Sequence, residues 1–583
     1  MNILNIKKNI LNINFLKLLI NTIGLLKSGK DKKNLFLLIL IVSFQAILDV
    51  LSLASIIPLM YLIQGPEVII DNINNLFIFD IFNYQFDQDS QLINIYIPIM
   101  VIFIMLSSTF FRLFLIYKTN KFIEDTRHNI SVRLLKNYLN SNKILNVDKS
   151  EIAKSILSEV DQFIIIVFQP IILMLTNLIL LIGIVIYLAF TNFIGSLLAL
   201  SILGSFYFLF YKFSKNILNI SGLKSEEANK GRFRTAIESF YSIKDIRVYS
   251  AETFFQNRFN KFSRLFANSN SIYTSLTASP KYILEMIVFI ALAISILFLT
   301  INNEISYEVL PLLGTFAFAA YKAQPSLSSV IFGVNSLIYG SKIISNLDKR
   351  LNYKANYNKG IRLSLKDLKN QKDCILIQNL YFSHSLQNYT ISGLNNLSLK
   401  IKYRCFSVLI GESGAGKTTL LNLIAGLIKP HKGQIIFNTY PFKGLKPKIS
   451  YLHQDHTLFN SSIAQNVAFG VEENKINFDK LYKALKKAEI YDFIFKLKKN
   501  INTLAGENGS NFSQGQIQRI ALARALYFEP DILILDEPTS SLDQKNEVSI
   551  IKTLSKISKE ITIIMSTHKL KSLPKDAEIF ELY

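Results

Sequence analysis

The sequence predicts an all-α membrane domain of six helices followed by a soluble α/β domain. Three observations carry this. Six apolar stretches lie before residue 340, each near the roughly 20 residues a helix needs to cross a bilayer. Composition turns charged and mixed from about residue 346. Beyond residue 373, short β-rich runs alternate with helical ones, the pattern of a largely parallel sheet covered by helices. The 583 residues are 50% hydrophobic and 18% charged. A soluble protein of that balance would expose large apolar patches, and a disordered chain would be poorer in apolar residues.

Residues 1–33 precede the first span. Lys7 and Lys8 lead into a mixed Asn/Leu/Ile/Lys segment with no small-residue cleavage site. This predicts an amphipathic elbow on the inner membrane face rather than a cleavable signal. The six spans fall at about Asn34–Gln64, Leu92–Tyr117, Phe163–Phe190, Phe193–Phe213, Tyr282–Ile301 and Val309–Tyr339, within a membrane domain of residues 34–345. Gly65–Gln91 has no Lys or Arg and five acids, whereas Lys118–Val160 holds eight basic residues and Lys212–Lys281 twelve. Basic residues stay inside. Both termini are therefore expected in the cytoplasm, with short outer loops at Thr191–Asn192 and Asn302–Ser306. The long inner loops read as continuous helix projecting beyond the bilayer.

The net charge of +22 would suggest nucleic acid in a soluble protein. Here the Lys-rich composition and the basic inner side of a membrane domain account for it, and nucleic acid is not expected as a partner. Two cysteines, Cys374 and Cys405, exclude a disulfide scaffold and a cysteine-rich zinc site. Residues 346–372 read as a linker, and 373–583 as the soluble domain.

That domain carries a phosphate-binding pattern. Gly411-Glu412-Ser413-Gly414-Ala415-Gly416-Lys417-Thr418 matches G-x-x-x-x-G-K-[ST], after the apolar run Phe406–Ile410 and before the helical stretch Thr419–Ile428. Glycines let the backbone curl so that its N–H groups face phosphate oxygens, and the helix N-terminus adds its dipole. Lys417 is expected to bridge the β- and γ-phosphates and Thr418 to ligate Mg²⁺. Ile532–Leu535 reads as a buried strand delivering Asp536 to the metal and Glu537 to the attacking water. The domain is thus expected to be a P-loop NTPase using a nucleoside triphosphate and Mg²⁺.

Between these elements lies Phe512-Ser513-Gln514-Gly515-Gln516, then Arg519 and Arg524. Here the chain resembles the ATP-binding cassette (ABC) family, whose signature is LSGGQ. The resemblance extends to Gln454 as the Q-loop residue and metal ligand, Ser541-Leu542-Asp543 as the D-loop, and His568, 31 residues after Glu537, as the switch histidine. Six spans fused to one such domain is the layout of an ABC exporter half-transporter, and the fold expected is that of ABC exporters. The resemblance implies a homodimer in which Ser513, Gly515 and Gln516 of one chain face the P-loop of the other. It also implies Glu537, His568 and Gln454 as the catalytic set. Gly411 to Thr419, His384 and Asp543 complete the nucleotide site.

Two departures stand out. Phe512 and Gln514 replace the usual Leu and Gly, so an unusual backbone angle at Gln514 would weaken closure. His384 takes the place of the aromatic that stacks on adenine, with Tyr381 and Phe382 as neighbouring substitutes. In the spans, Asp49, Arg112, Glu285 and Lys322 are ionisable, and such residues are functional candidates or paired structural groups. The segments around Leu48–Pro58, Pro280–Glu285 and Ala319–Ser326 resemble the lipid-linked oligosaccharide flippase branch. Segments near Asn140–Val147 and Ile237–Ile246 resemble coupling helices. The function expected is ATP-driven export of an amphiphile, a lipid-linked saccharide or other lipid, across the cytoplasmic membrane, with membrane lipid as surroundings. Export of peptides or drugs remains open. A non-transporting ATPase is opposed by the six spans, and a degenerate receptor by intact Lys417, Asp536, Glu537 and His568.

Overall fold

The computed structural model describes residues 15–26, 29–64, 90–140, 149–301, 309–352, 364–366, 372–386, 389–442, 445–454, 456–539, 543–569 and 572–582. The chain divides into two compact units, Met1–Ala355 and Asn356–Tyr583. The acidic segment Gly65–Gln91, the loop Asn302–Ser306, most of Asn140–Val147 and much of the linker lie outside the described residues.

The first unit is all α. A short helix α1 (Phe15–Gly24) is followed by α2 (Gly29–Ala54), α3 (Ile56–Gln64) and α4 (Ser90–Leu139). Next come α5 (Glu151–Thr191), α6 (Phe193–Tyr241), α7 (Ile243–Val248), α8 (Glu252–Ile301), α9 (Val309–Tyr339) and α10 (Ser341–Leu351). Each expected span lies on a helix. The first is broken at Ser55, where Pro58 in the first turn of α3 cannot donate to the Ala54 carbonyl. Asn192 alone separates α5 from α6, its Oδ1 accepting from Gly195 N at 2.8 Å, an N-cap bond that starts the new helix. Among the described residues, four helices are long and apolar enough to cross a membrane, and the bent pair α9–α10 makes a fifth. The chain is a multi-pass membrane protein.

The 49 residues of α6 and the 50 of α4 give rods of about 75 Å at 1.5 Å per residue, far beyond the roughly 30 Å hydrocarbon core. The surplus carries the basic residues. Its interior is apolar: Phe122, Leu134, Phe163, Ile164, Val167, Phe168, Leu337, Ile344 and Leu347 form one buried cluster. Near Ile237–Ile246 the chain breaks at Ser242 between α6 and α7.

The second unit contains two sheets. Five parallel strands run in the order β6 (Ile449–Leu452), β7 (Ile532–Asp536), β8 (Thr562–Ser566), β4 (Phe406–Gly411), β9 (Glu578–Leu582). β7 and β8 are buried at every residue, as strands covered on both faces must be. The largely parallel sheet expected from the sequence is therefore only half of the β-structure. A second sheet, in the order β1 (Ser364–Lys366), β5 (Lys432–Asn438), β2 (Asp373–Leu386), β3 (Tyr389–Lys402), is antiparallel through β5, β2 and β3. Only two residues separate β2 from β3 in the sequence, too few for a crossover, which forces them antiparallel. Around the parallel sheet lie α11 (Lys417–Ile424), α12 (Gln514–Tyr527) and α13 (Gln544–Ile557).

Candidate nucleotide site

Three neighbouring parallel strands end at one edge. Asp536 closes β7 opposite Ser566, the last residue of β8. Ser566 lies opposite Leu409 of β4, two residues before Gly411. Such carboxyl edges are where open α/β sheets bind ligands.

β4 runs into the glycine loop, and α11 starts directly from it. Gly416, the residue before the helix, has φ +87°, a left-handed conformation that glycine adopts without strain. A methyl group there would come within 2.9 Å of Leu394 Cδ2. No side chain caps this helix start, so its first N–H groups and its dipole remain for an anion. Lys417 is buried and its Nζ donates to the carbonyls of Gly411 and Glu412, both at 2.9 Å. Those neutral acceptors hold the ammonium at the loop, where phosphate oxygens would offer stronger, charge-assisted bonds.

Asp536 is 4% exposed and accepts from three hydroxyls: Ser566 Oγ at 2.7 Å, Thr418 Oγ1 at 3.1 Å and Tyr451 OH at 3.3 Å. Burial pushes the Tyr451 phenol well above its ordinary value, and the Asp536 charge adds to this, so Tyr451 stays a donor. Thr418 and Asp536 are hard oxygen ligands suited to Mg²⁺, which characteristically keeps waters and substrate phosphates among its ligands. Among the described residues, no group of three or more His, Cys, Asp or Glu side chains is arranged to hold a metal alone.

Glu537 follows with φ +46°, a left-handed conformation that costs a non-glycine residue about 1–3 kcal/mol and clusters at functional sites. Its backbone N–H donates to Ser566 Oγ at 2.9 Å. Its carboxylate is held at both ends, Oε1 2.9 Å from His568 Nε2 and Oε2 accepting from Gln454 Nε2 at 3.1 Å. Lys417, Thr418, Asp536, Glu537, Gln454 and His568 thus converge. Ser566 and Tyr451 complete the cluster and were not among the residues expected from sequence. Ser566 stands two places before His568, a signal that strand register turns into contact.

Ser513 sits just before α12, and its backbone N donates to Gln516 Oε1 at 2.9 Å. Neither residue bonds to the P-loop of its own chain among the described residues. Gln514 is the first residue of α12, exposed and absent from the left-handed positions, so the substitution for glycine requires no unusual backbone angle. Phe512 packs on the domain core, edge-on to Phe493 at 6.3 Å. Asp543 precedes α13 and accepts from Asn546 Nδ2 at 2.5 Å; Ser541 and Leu542 lie outside the described residues. His384 is on β2 with its backbone opposite Ile391, and its side chain is outside the described ones. Phe382 stacks on His431 with ring centroids 5.0 Å apart, while Tyr381 is exposed.

In the spans, Asp49 is 1% exposed. Arg112 Nη2 lies 2.8 Å from both its oxygens, Ser108 Oγ donates to Oδ1 at 2.9 Å, and Lys322 Nζ is 3.6 Å from Oδ1. Lys322 also donates to Ser52 Oγ. One carboxylate therefore joins α2, α4 and α9 and answers two cations. Glu285 stands apart, exposed on α8.

Residues 394–540 match the family model described as ABC transporter. The structure resembles that of a bacterial Atm1-family ABC exporter with ATP bound, at a TM-score of 0.70 and 18% identity, covering 95% of this chain and 93% of that one. The chain carries an ABC transporter domain within an ABC exporter fold. Among curated relatives, the chain is similar to the ATP-dependent lipid A-core flippase of Wigglesworthia glossinidia brevipalpis, 28% identical over 374 residues, 60% of each chain. That of Saccharophagus degradans is 30% identical over 344 residues, 58% of this chain and 56% of the relative. The chain thus aligns with little more than half the length of these relatives.

Proposed function

We propose that the protein is an ATP-driven exporter that works as a pair of identical chains and moves an amphiphile, a lipid-linked saccharide or related lipid, to the outer leaflet. It resides in the cytoplasmic membrane with both termini and the ATP unit inside. The observation that carries the reading is Glu537, whose carboxylate is fixed between His568 and Gln454 beside Lys417, Thr418 and Asp536. Lys417 and the first turn of α11 hold the phosphates. Thr418 and Asp536 hold Mg²⁺, which supplies charge neutralisation on the phosphates when bound. Glu537 takes a proton from the attacking water, with His568 and Gln454 orienting it.

Two identical chains follow from the signature. Among the described residues, Ser513 and Gly515 make no hydrogen bond to their own P-loop, and a C₂ pair would offer each loop the signature of the other. The cargo reading draws on the flippase relatives and on the Asp49–Arg112–Lys322 group, whose charges sum to one surplus cation within the spans. A phosphate-bearing head group complements it.

Purified chain in proteoliposomes tests both halves. ATP hydrolysis should need Mg²⁺ and rise with the cargo class. Stimulation by peptides or drugs and not by any lipid would replace the cargo assignment with the peptide or drug reading.

A further inference from the structure

α10 is the last helix of the membrane unit before the chain enters the ATP unit. It leaves α9 at a bend of 62°, at Gly340. A methyl group at Gly340 would run into Val167 of α5, so the bend is seated on that helix. Ile343, Ile344, Leu347 and Leu351 on one face of α10 are buried in the same cluster as Phe163, Ile164 and Phe168.

Where α5 meets α10 it is not a regular α-helix. Ser155–Glu159 and Phe163–Phe168 are π-helical. The first stretch builds an ion-pair cluster that a regular helix cannot. Lys154 and Glu159 are five residues apart, which at 3.6 residues per turn would rotate them about 140° from each other. Bonding from i to i+5 returns them to one face, and Lys154 Nζ reaches Glu159 Oε1 at 3.3 Å. Lys154 also lies 3.5 Å from Glu226 Oε1 on α6. From α10, Arg350 completes the cluster. Its Nε is 3.3 Å from Glu159 Oε2, its Nη2 3.2 Å from Glu151 Oε1, and its Nη1 donates to Tyr138 OH of α4 at 2.9 Å. Asn346 Nδ2 donates to Glu226 Oε1 at 3.4 Å. The side chains of Lys154 and Glu159 are each 4% exposed.

Buried ion pairs are poor sources of stability, because desolvation offsets attraction, and a packed apolar substitute is often as stable. What such a cluster does fix is register, since the charges meet in one arrangement only. We infer that Arg350 is a positioning residue that clamps α10 to the π-helical stretch of α5 and to α4, in a cluster that Lys154 and Asn346 extend to Glu226 of α6, so that these helices move as one body when the ATP unit moves. Force then enters the spans along the chain itself, in addition to any cytoplasmic turn that touches an ATP domain. This rests on the ATP-driven reading above and is independent of the cargo.

The test uses the full chain in lipid nanodiscs, with Cys374 and Cys405 replaced by serine and Glu537→Gln added to hold ATP. Spin labels at the exposed Lys349 of α10 and Glu227 of α6, with labelled chains diluted into unlabelled ones, report the distance within one chain. Labels at Glu227 alone report the distance between two copies. The clamp predicts a narrow within-chain distance that ATP leaves unchanged while the between-chain distance shifts. Arg350→Ala leaves Glu159 and Glu226 to share one cation, Lys154, so the uncharged pair Arg350→Met with Glu159→Gln is measured beside it. In both, the within-chain distance should broaden and the ATP-driven shift be lost, while ATP hydrolysis in the Glu537 background persists. The conservative Arg350→Lys, which keeps a cation beside Glu151 and Glu159, should keep the narrow distance. A within-chain distance that ATP itself shifts in the parent would mean that α10 hinges at Gly340, and would overturn the clamp alone. So would an uncharged pair that keeps both the narrow distance and the shift. A between-chain distance indifferent to ATP in the parent would overturn the ATP-driven reading and the clamp's coupling role together.

Discussion

His568 Nε2 lies 2.9 Å from Glu537 Oε1. Glu537 itself sits at φ +46°, so backbone strain and an imidazole aim one carboxylate together. Glu537→Gln keeps the hydrogen-bonding shape and removes the base. It should retain ATP affinity, lose about 10²–10⁴-fold in turnover, and accumulate as a closed pair of chains. Steady-state ATP hydrolysis beside nucleotide binding checks this. Hydrolysis at the parent rate would remove Glu537 from the chemistry. His568→Ala should lower turnover with ATP affinity unchanged, because the histidine acts through Glu537.

The signature departure is predicted to be neutral. Gln514 begins α12 with ordinary helical geometry and is exposed. Gln514→Gly should leave turnover near that of the parent. Stability should shift by no more than about 0.5–1 kcal/mol, the cost of glycine's backbone freedom in a helix. A marked gain in hydrolysis would show that the glutamine side chain obstructs closure.

His384 is predicted to contribute to nucleotide affinity. Stacking of a base on an aromatic side chain is worth about 1–3 kcal/mol, and a small imidazole belongs at the lower end. His384→Ala should therefore weaken ATP binding by about fivefold, the equivalent of about 1 kcal/mol. Calorimetric titration with a non-hydrolysable analogue measures it. An unchanged Kd would pass the contact to Tyr381, which is exposed on the same strand, since Phe382 is engaged with His431.

How far each feature was legible follows from where its information lies. Lys417, Thr418, Asp536 and Glu537 were readable because loop chemistry and strand ends are written in consecutive residues. Ser566 and Tyr451 were not, since they reach Asp536 through the register of β8 against β7 and of β6 against β7. The antiparallel sheet was hidden for a related reason. β2 and β3 shift register repeatedly, which blurs the alternation that marks a half-buried strand. In the spans, apolar length gave the helices but not their rotation. Asp49, Arg112 and Lys322 were visible singly, while their meeting depends on how α2, α4 and α9 face one another. The π-helical stretches of α5 left no periodic trace, although Lys154 and Glu159 at a five-residue spacing are their product.

The cargo prediction turns on Asp49, which faces both Arg112 and Lys322. Lys322→Ala leaves one carboxylate with one cation, so the chain should fold normally and lose the surplus charge. Asp49→Ala leaves two cations without their anion, which should be read as a lowered Tm. If the surplus cation serves a phosphate head group, proteoliposomes holding a fluorescent polyprenyl-pyrophosphate glycan should show ATP-dependent movement between leaflets with the parent chain. Movement should be reduced in Lys322→Ala and absent in Glu537→Gln. Equal movement in Lys322→Ala would keep the carrier function and remove Lys322 from head-group recognition, leaving it as a strut between α9 and α2. No lipid movement by the parent, with hydrolysis stimulated by peptides or drugs, would discard the glycolipid cargo while the ATP site stands unchanged.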